Sequence, residues 1–242
     1  MRSVGIIPAR LAATRLPNKP LIDIGGKPML RRVWERARLA TNLSEVLIAT
    51  PDEEIRRAAE EWGAVVVMTS ERHRSGTDRL AEAAEKLDYD IVVNIQGDEP
   101  LIAPEAIDAV MTPLAEDRSL QMSSLMCPCP AVDLDNPACV KVVFDRAEWA
   151  LYFSRSRIPY PRNAGAEVWQ HIGLYAYRRS FLVKYVRMDP TPLEMAESLE
   201  QLRALENGVA IKMVRWQEAP LSVDTEDDLA RMRVLVAERE KS

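Results

Sequence analysis

Short apolar runs alternate with amphipathic stretches along the first half of the chain. Four runs rich in valine, isoleucine and alanine have the length and composition of strands, and the first of them is typical of a fully buried strand. They cover residues 4–7, 45–49, 64–68 and 90–95. Residues 31–38 belong to a stretch whose apolar side chains repeat at helical spacing, at Leu30, Val33, Trp34 and Ala37. This alternation predicts a parallel sheet covered by helices on both faces, and therefore an α/β protein.

Capping signals mark where the helices of this half begin. Thr50 can cap a helix with Pro51 in its first position, and Glu53 then completes a capping box. Ser75 can cap the next helix in the same way, and Pro104 begins another helix that runs toward residue 114. Each predicted strand is therefore followed by a loop that leads into a helix.

The pattern changes after Ser119. Strand-like runs cover residues 121–126, 140–144, 149–153, 172–177 and 214–216. Leucine and alanine recur at helical spacing over 193–205, which predicts one helix that ends at Gly208. A last capping box at Thr225 predicts a helix to about residue 238. Because no segment looks like a linker, we expect a single domain over residues 1–242, whose second half extends the sheet and carries an inserted lobe.

Composition and charge narrow the possible classes of function. The chain has 242 residues, 47% apolar and 29% charged, which is typical of a globular α/β domain. Its net charge of −5 argues against a general nucleic-acid surface, although local cations can still bind an anionic substrate. We find no signal peptide and no run long enough to span a membrane, and therefore expect a cytoplasmic protein.

Three cysteines give little sign of a metal site. Cys127 and Cys129 form C-P-C, which has neither the spacing of a zinc knuckle nor that of a redox pair. Together with Cys139 they make a small, odd number, which favours free thiols in a reducing compartment. Cys127 lies in an apolar run and is expected in the core.

The loop after the first strand is rich in cations. Ligands of parallel sheets bind beyond the carboxyl ends of the strands, so the loops after the first, third and fourth strands should share one crevice. Residues 8–20 carry Arg10, Arg15 and Lys19 and are stiffened by prolines. Cations in this place suit a triphosphate, because charge-assisted hydrogen bonds to phosphate are strong. The loop has neither a Walker motif nor G-x-G-x-x-G, and the alternative is a solvated basic loop.

Two aspartates are candidate metal ligands. Asp98 follows Gly97 after the fourth strand and can present a hard oxygen ligand for Mg²⁺ to the crevice. Its alternative is an ordinary turn residue. Asp224 directly precedes Thr225 and could supply a second carboxylate, or it could only stabilise the helix N-terminus. The metal hypothesis therefore depends on the two aspartates being paired.

Polar residues of the second half are weaker candidates. His171 precedes a predicted strand and could face a substrate carboxylate or hydroxyl, although a lone histidine beside a strand is more often packed or solvated. Glu200, Gln201 and Arg203 lie on the polar side of the predicted helix, where the pattern alone favours a solvated face.

Nine segments, spread over nearly the whole chain, carry a family resemblance. They are I-I-P-A-R at 6–10, T-R-L-P-N-K-P-L at 14–21, H-R-S-G-T-D-R-L at 73–80, V-N-I-Q-G-D-E-P at 93–100, N-P-A-C-V-K-V-V at 136–143, A-L-Y-F-S-R at 150–155, H-I-G-L-Y-A-Y-R at 171–178, P-L-E-M-A-E-S-L-E-Q-L-R at 192–203 and V-D-T at 223–225. Together they resemble the 3-deoxy-manno-octulosonate cytidylyltransferases, which make CMP-Kdo for lipopolysaccharide synthesis. The P-A-R and G-D-E-P elements also occur in other sugar nucleotidyltransferases, whereas H-I-G-L-Y and L-E-Q-L-R are more specific.

The resemblance implies a fold, a reaction and a set of site residues. The fold is a Rossmann-like, three-layer αβα nucleotidyltransferase with a mixed, mostly parallel sheet and a small inserted lobe, usually a homodimer. The reaction joins CTP and Kdo to give CMP-Kdo and pyrophosphate, with Mg²⁺ as cofactor. By this likeness Arg10, Arg15 and Lys19 bind the triphosphate, and Pro8 and Ala9 belong to the same binding set. Ser75 and Gly76 help to read the cytosine, and Asp98 and Asp224 hold Mg²⁺. The catalytic residues that the likeness implies are Arg15, Lys19, Asp98 and Asp224. The sugar site is lined by Gln96, Arg155, His171, Tyr175, Glu200, Gln201 and Arg203.

Three departures from the family pattern are visible. Ala13 stands where the family usually has serine, and Ser222 stands where glycine commonly precedes V-D-T. The segment 160–170 is shorter than the corresponding segment of some members. The first could weaken CTP binding and the last could reshape the sugar lobe. None removes a proposed cation or metal ligand.

Four other functions fit the sequence less well. A CMP-sialic acid synthetase shares the P-A-R start, but H-I-G-L-Y and L-E-Q-L-R favour Kdo or a close relative such as its amino analogue. A nucleotide-linked dehydrogenase is disfavoured by the missing G-x-G-x-x-G. A non-catalytic CTP-binding regulator would be expected to lack Asp98 or Asp224, and both are present. Nucleic-acid binding is disfavoured by the acidic balance.

Overall fold

The computed structural model describes residues 1–12, 16–73, 75–163 and 165–240. The chain divides into two compact units. The first unit comprises Met1–Asp108 and Pro220–Ser242, and the second comprises Ala109–Ala219. The second unit is therefore an insertion into the sequence of the first. The expectation of a single domain over 1–242 is not tested by this division and stays a prediction.

The first unit is built on four parallel strands. Its strands are β1 (Ser3–Pro8), β2 (Asp23–Ile24), β3 (Lys27–Pro28), β4 (Glu45–Thr50), β5 (Val65–Met68) and β6 (Ile91–Asn94), and its helices include α1 (Met29–Ala37), α2 (Glu53–Glu61) and α3 (Gly76–Glu85). β1 pairs in parallel with both β4 and β6, and β4 pairs in parallel with β5. β2 and β3 form a separate antiparallel hairpin. The helix α4 (Pro104–Glu116) follows, and the boundary between the units falls inside it.

The core of this sheet explains why the strand predictions succeed. β1 and β4 are almost continuously apolar, and Val4, Ile6, Ile7, Leu47 and Ile48 have at most 1% of their surface exposed. A strand covered on both faces needs such a run, because neither face can be polar. The apolar stripe that predicts α1 is also buried, including Leu30 and Val33. The predicted α/β class is confirmed for this unit.

The second unit is a mixed sheet with short helices. Its strands are β7 (Met122–Pro128), β8 (Lys141–Phe144), β9 (Ala150–Ser154), β10 (Trp169–Arg178) and β11 (Ile211–Arg215), and its helices are α5 (Arg179–Tyr185), α6 (Pro192–Glu197) and α7 (Gln201–Glu206). β7 pairs in parallel with β11 and antiparallel with β10. β8 is antiparallel to β10 and β9.

The chain returns to the first unit in α8 (Glu226–Arg239). Thr225 and Asp228 form the capping box that the sequence predicts, because each side chain accepts a hydrogen bond from the other residue's backbone. The apolar side of α8 packs with the residues around the β2–β3 hairpin, and this cluster contains Leu16, Ile24, Met29, Val223, Leu229, Met232 and Val236. The cluster fixes the segment before α8, which contains Asp224.

Two helix predictions are wrong in detail. The single helix over 193–205 is two helices, α6 and α7, because Ser198 adopts a left-handed conformation (φ 52°) that ends α6. The helix predicted to be capped by Thr50 begins two residues later, after Asp52. Thr50 is the last residue of β4, and its hydroxyl accepts a hydrogen bond from the Asp52 amide instead. α5 was not predicted. Over the described ranges, we find no helix long and apolar enough to cross a membrane.

Candidate active site

A cavity of about 430 Å³ opens in the first unit at the carboxyl ends of β1 and β6. It is lined by Pro8, Ala9, Arg10, Ala12, Leu16, Lys19, Pro20, Met29, Ser75, Gly76, Arg79, Gln96, Gly97, Asp98 and Asp224. The structure therefore brings the candidate phosphate-binding, base-reading and metal-binding residues of this unit to one cavity. Arg15 and Ala13 lie outside the described residues.

The loop after β1 is held by backbone and side-chain hydrogen bonds. The Ala9 amide donates to the Ala49 carbonyl (2.9 Å), which continues the pairing of β1 with β4 past the strand end. The Leu11 amide donates to the Asp52 carboxylate (2.8 Å). These two contacts hold the loop on either side of Arg10, whose side chain is thereby carried into the cavity wall.

Lys19 connects the two candidate metal ligands. Its ammonium nitrogen lies 2.7 Å from Asp98 Oδ2 and 3.0 Å from Asp224 Oδ1. The side chains are 16%, 29% and 39% exposed, so the triad faces the cavity and still reaches solvent. Burial by itself lowers the pKa of Lys19, but the two carboxylates outweigh it and the pKa lies above its ordinary value. Lys19 is therefore charged at neutral pH.

The backbone brings the two aspartates together across 126 positions of sequence. The Val223 amide donates to the Asp98 carbonyl (3.0 Å), so the segment before α8 pairs with the loop after β6. Gly97 permits the close packing of this loop, because a Cβ there would lie 3.3 Å from the Pro8 carbonyl oxygen. The pairing on which the metal hypothesis depends is thus a property of the fold.

Glu99, next to Asp98, is a buried carboxyl that the sequence analysis did not select. Its side chain is 7% exposed, and its Oε2 atom has no hydrogen-bond partner among the described residues. Burial, assisted by the charge of Asp98, raises the pKa of Glu99 to about 8. The side chain is therefore mostly protonated at neutral pH, and it does not add a full negative charge beside Asp98.

The start of α3 lines the same cavity as this triad. Ser75 accepts a hydrogen bond from the Asp78 amide, and Asp78 accepts one from the Ser75 amide, which completes the predicted capping box. Ser75 and Gly76 both line the cavity. A helix N-terminus carries partial positive charge and favours anionic groups nearby.

Arg79 is a cavity residue that the sequence analysis missed. Its side chain is buried (3% exposed) one turn into α3, and its Nη1 donates to Thr69 Oγ1 (2.6 Å). Among the described residues, no carboxylate lies within ion-pair distance of it. Burial and the nearby charge of Arg10 lower the pKa of Arg79. The same nitrogen, Nη1, also donates to the Ser70 carbonyl (3.3 Å), so the guanidinium has neutral acceptors but no counter-ion among the described residues. A buried charge is usually paired, and a guanidinium that lines the cavity without a counter-ion therefore suits an anionic ligand. In the sequence, the only sign of this role is that Arg79 is the second arginine of H-R-S-G-T-D-R-L.

The candidate sugar residues of the second unit fall into two groups. The first is an aromatic row on β9, β10 and α5, in which neighbouring ring centroids lie 5.0–6.2 Å apart. It contains Phe153, His171, Tyr175, Tyr177 and Tyr185. His171 Nε2 lies 3.0 Å from the Ser124 hydroxyl, beside the β-bulge of β10. His171 and Tyr175 are therefore packed side chains whose position is fixed by their neighbours.

The second group surrounds α6 and α7. Arg155 donates to the backbone carbonyls of Glu197 (2.7 Å), Pro137 (3.0 Å) and Ser198 (3.2 Å). Arg203 is paired with Glu194 and lies over the Tyr185 ring. Gln201 is buried and Glu200 half-buried, and the Glu200 carbonyl accepts a hydrogen bond from the Tyr185 hydroxyl. These side chains are not the solvated face that the helical pattern alone favours.

Because His171 is buried, it makes the unfolding free energy depend on pH in the acid range and does not act as an acid catalyst. Burial lowers the pKa of His171 to about 3, so the imidazole is neutral at pH 7. Between about pH 3 and about pH 6.5, His171 binds a proton in the unfolded state but not in the folded state. Its contribution to the unfolding free energy is therefore fully present above about pH 6.5 and is lost as the pH falls. We expect this residue to account for a loss of about 2 kcal/mol of unfolding free energy between pH 7 and pH 5. Urea denaturation of wild type and His171→Gln at both pH values measures it, and an equal pH effect in the two proteins would contradict it.

Comparison with known proteins places the chain in a family. The cytidylyltransferase family model matches residues 4–212. The 3-deoxy-manno-octulosonate cytidylyltransferase of Chloroherpeton thalassium is 46% identical over the full length of both chains. The mitochondrial enzyme of that name from Arabidopsis thaliana is 44% identical, over all of this chain and 85% of its own. A solved CMP:2-keto-3-deoxy-manno-octonic acid synthetase in complex with CTP superposes with a TM-score of 0.96, at 42% identity, over 99% of this chain and 100% of its own.

The fold and cavity are those of an α/β nucleotidyltransferase, and these matches are more specific than that class. The chain belongs to the cytidylyltransferase family, in its 3-deoxy-manno-octulosonate cytidylyltransferase branch. The resemblance that was seen in its motifs is confirmed.

Proposed function

We propose that this protein transfers CMP from CTP to the anomeric hydroxyl of Kdo, with release of pyrophosphate. The observation that carries the proposal is the Lys19, Asp98 and Asp224 triad in a cavity that also holds Arg10 and the start of α3. Cations and paired carboxylates within one cavity suit a metal-assisted transfer from a nucleoside triphosphate. The names of the relatives supply the sugar and the base.

The residues of the cavity divide the work by charge. In this proposal the hydroxyl oxygen of the sugar attacks the α-phosphorus, and the bond to the β-phosphate oxygen breaks in line. Lys19 and Arg10 stabilise the charge that develops on the leaving pyrophosphate. Ser75 and Gly76 contact the cytosine, as the family resemblance implies. Of the residues that the resemblance assigns to the sugar, Gln96 lines the cavity of the first unit and the others belong to the second unit. Among these, His171 acts as a neutral hydrogen-bonding group.

Asp98 and Asp224 fit a site for Mg²⁺. Both carboxylates reach one nitrogen atom of Lys19, so their oxygens converge on the same point of the cavity. The described residues contain no cluster of three or more acidic, histidine or cysteine ligands. Two carboxylates leave coordination positions for phosphate oxygens and water, which is how Mg²⁺ is usually held beside nucleotides. When bound, the ion would neutralise phosphate charge and lower the pKa of a bound hydroxyl.

Pyrophosphate release tests the proposed reaction. The purified protein is given CTP and Mg²⁺ with Kdo, with sialic acid or with the amino analogue of Kdo, and CTP binding is measured separately by calorimetry. We expect release with Kdo. Release with only one of the other sugars would overturn the choice of sugar. CTP binding without release for any sugar would overturn the enzyme proposal in favour of a regulatory CTP-binding protein.

Arg79 offers a sharper test of nucleotide binding. Arg79→Gln removes the buried guanidinium from the cavity wall, and a hydrogen bond to a charged donor is worth about 1.5–3 kcal/mol. We therefore expect the Kd for CTP to rise by roughly 10-fold or more. Arg57→Gln is the matched control, because the Arg57 side chain is 72% exposed on α2. Equal CTP affinity in wild type and a folded Arg79→Gln protein would exclude this role.

We also propose that the protein is a homodimer and that it acts in the cytoplasm. The second unit exposes large apolar side chains, among them Val132 (89%), Leu151 (60%) and Tyr160 (83%). In this proposal some of these side chains are buried between two copies, and dimers are usual in the family that the chain resembles. Light scattering during size-exclusion chromatography measures the oligomeric state directly.

A further inference from the structure

Cys129 and Cys139 lie at the two ends of the segment that joins β7 to β8. Their Sγ atoms are 3.7 Å apart, and both are free thiols. Cys139 is buried, whereas Cys129 is partly exposed. The C-P-C spacing of Cys127 and Cys129 does not predict a redox pair, but the fold brings Cys129 next to Cys139, ten residues further along the chain. The proximity is therefore a result of tertiary structure.

Backbone hydrogen bonds hold both ends of this segment. The Cys129 amide donates to the Val168 carbonyl (2.9 Å), next to the start of β10. The Cys139 amide donates to the Asn136 carbonyl (3.1 Å), which also accepts from the buried Lys141 ammonium (2.6 Å). A disulfide has an S–S distance of about 2.05 Å, so small movements of two anchored side chains are enough to close it.

We propose that Cys129 and Cys139 form an oxidisable dithiol, which a hydroperoxide converts into an intramolecular disulfide. The Cys129 thiolate attacks one peroxide oxygen, the O–O bond breaks, and hydroxide leaves to give a sulfenic acid. The Cys139 sulfur then attacks the Cys129 sulfur, the S–O bond breaks, and the departing oxygen takes the Cys139 proton and leaves as water. The two thiols lose two electrons in total, and hydrogen peroxide is reduced to two molecules of water.

Exposure assigns the two roles. Burial raises the pKa of the Cys139 thiol to about 12, although the charge of Lys141 opposes this. Cys139 therefore remains a thiol at neutral pH, and Cys129, which reaches solvent, meets the peroxide first. Cys127 is also buried, and burial raises its pKa to about 11, so we expect it to be inert.

The disulfide would enclose a contact to Arg155. Pro137 lies inside the ring that the bond would close, and its carbonyl accepts a hydrogen bond from Arg155 Nη1 (3.0 Å). The disulfide would therefore close a ring around a residue that accepts a hydrogen bond from Arg155. The oxidation itself does not depend on the proposed function, because it needs only the two thiols and the peroxide.

Intact mass and thiol titration after treatment with hydrogen peroxide test the proposal. We expect wild type to lose two hydrogen atoms, to fall from three titratable thiols to one, and to return to three with dithiothreitol. Cys127→Ser is the matched control: it should also lose two hydrogen atoms, fall from two titratable thiols to none, and return to two with dithiothreitol. Cys139→Ser should stop at a sulfenic acid that dimedone traps, and Cys139→Ala replaces it if the serine variant does not fold. Added oxygen without loss of hydrogen in wild type, or a cross-linked peptide that contains Cys127, would overturn the proposal.

Discussion

Replacing Asp98 with asparagine is expected to lower kcat for pyrophosphate release by roughly 100-fold or more, the loss seen when a charge-stabilising group is removed from a transition state. The substitution keeps the shape of the side chain and removes its charge. The neutral amide that replaces the Asp98 carboxylate would be a weak metal ligand, and Lys19 would keep an ion pair only with Asp224. Asp224→Asn should have an effect of the same order, because the two carboxylates converge on one point.

A surface aspartate and a folding measurement make this result specific. Asp88→Asn is the matched control, since the Asp88 side chain is 99% exposed in the same unit. Thermal unfolding should show that Asp98→Asn and Asp224→Asn remain folded. A folded Asp98→Asn protein that keeps more than about a tenth of wild-type turnover would contradict a metal role for the pair, because such a loss is far below the roughly 100-fold expected when a charge-stabilising group is removed.

Replacing Arg203 with methionine is expected to lower the unfolding free energy by about 3 kcal/mol, since it leaves a buried carboxylate without its counter-ion. Arg203 Nε donates to Glu194 Oε2 (2.7 Å), and a second guanidinium nitrogen contacts Glu194 Oε1. The side chains of Arg203 and Glu194 are only 14% and 9% exposed. Glu194 also accepts a hydrogen bond from the Thr191 amide (3.1 Å) at the N-terminus of α6. The Arg203–Glu194 ion pair therefore connects α7 to the first turn of α6.

A double variant separates the ion pair from simple loss of packing. Arg203→Met with Glu194→Gln removes the uncompensated charge, so it should recover part of the stability that Arg203→Met loses. Urea denaturation of both variants and wild type provides the comparison. A loss below about 1 kcal/mol for Arg203→Met would mean that the pair behaves like an exposed surface bridge, whose contribution is small.

Elements with a local cause were predictable from the sequence. The strands β1, β4 and β6 are short apolar runs because they are buried, so that nearly every residue of the run is apolar. β5 is an equally apolar run, although Val65 and Met68 at its two ends are exposed. Capping boxes are equally local, since donor and acceptor lie three residues apart, as at Ser75 and Thr225. The same motifs carried the family resemblance.

Helix ends that depend on backbone conformation were not predictable. The leucine pattern over 193–205 continues across Ser198, but the left-handed conformation of that serine ends α6 there. Periodicity reports which side is buried and contains no information on a single dihedral angle. Thr50 likewise has the composition of a cap, yet pairing with β5 keeps it in β4.

The sequence by itself determined the α/β class, most element positions, the family, and the residue types that nucleotide chemistry needs. Only the tertiary structure decided which of those residues meet. Lys19 reaches Asp98 across 79 positions and Asp224 across 205, and Cys129 meets Cys139 rather than Cys127. Arg79 lines the same cavity as Lys19 and has no ion-pair partner within the part of the chain that the structure describes. The physical reason is that hydrophobic burial and capping act along the chain, whereas charge pairing, cavity shape and thiol proximity depend on distances in space between strands and loops that the sequence order does not specify.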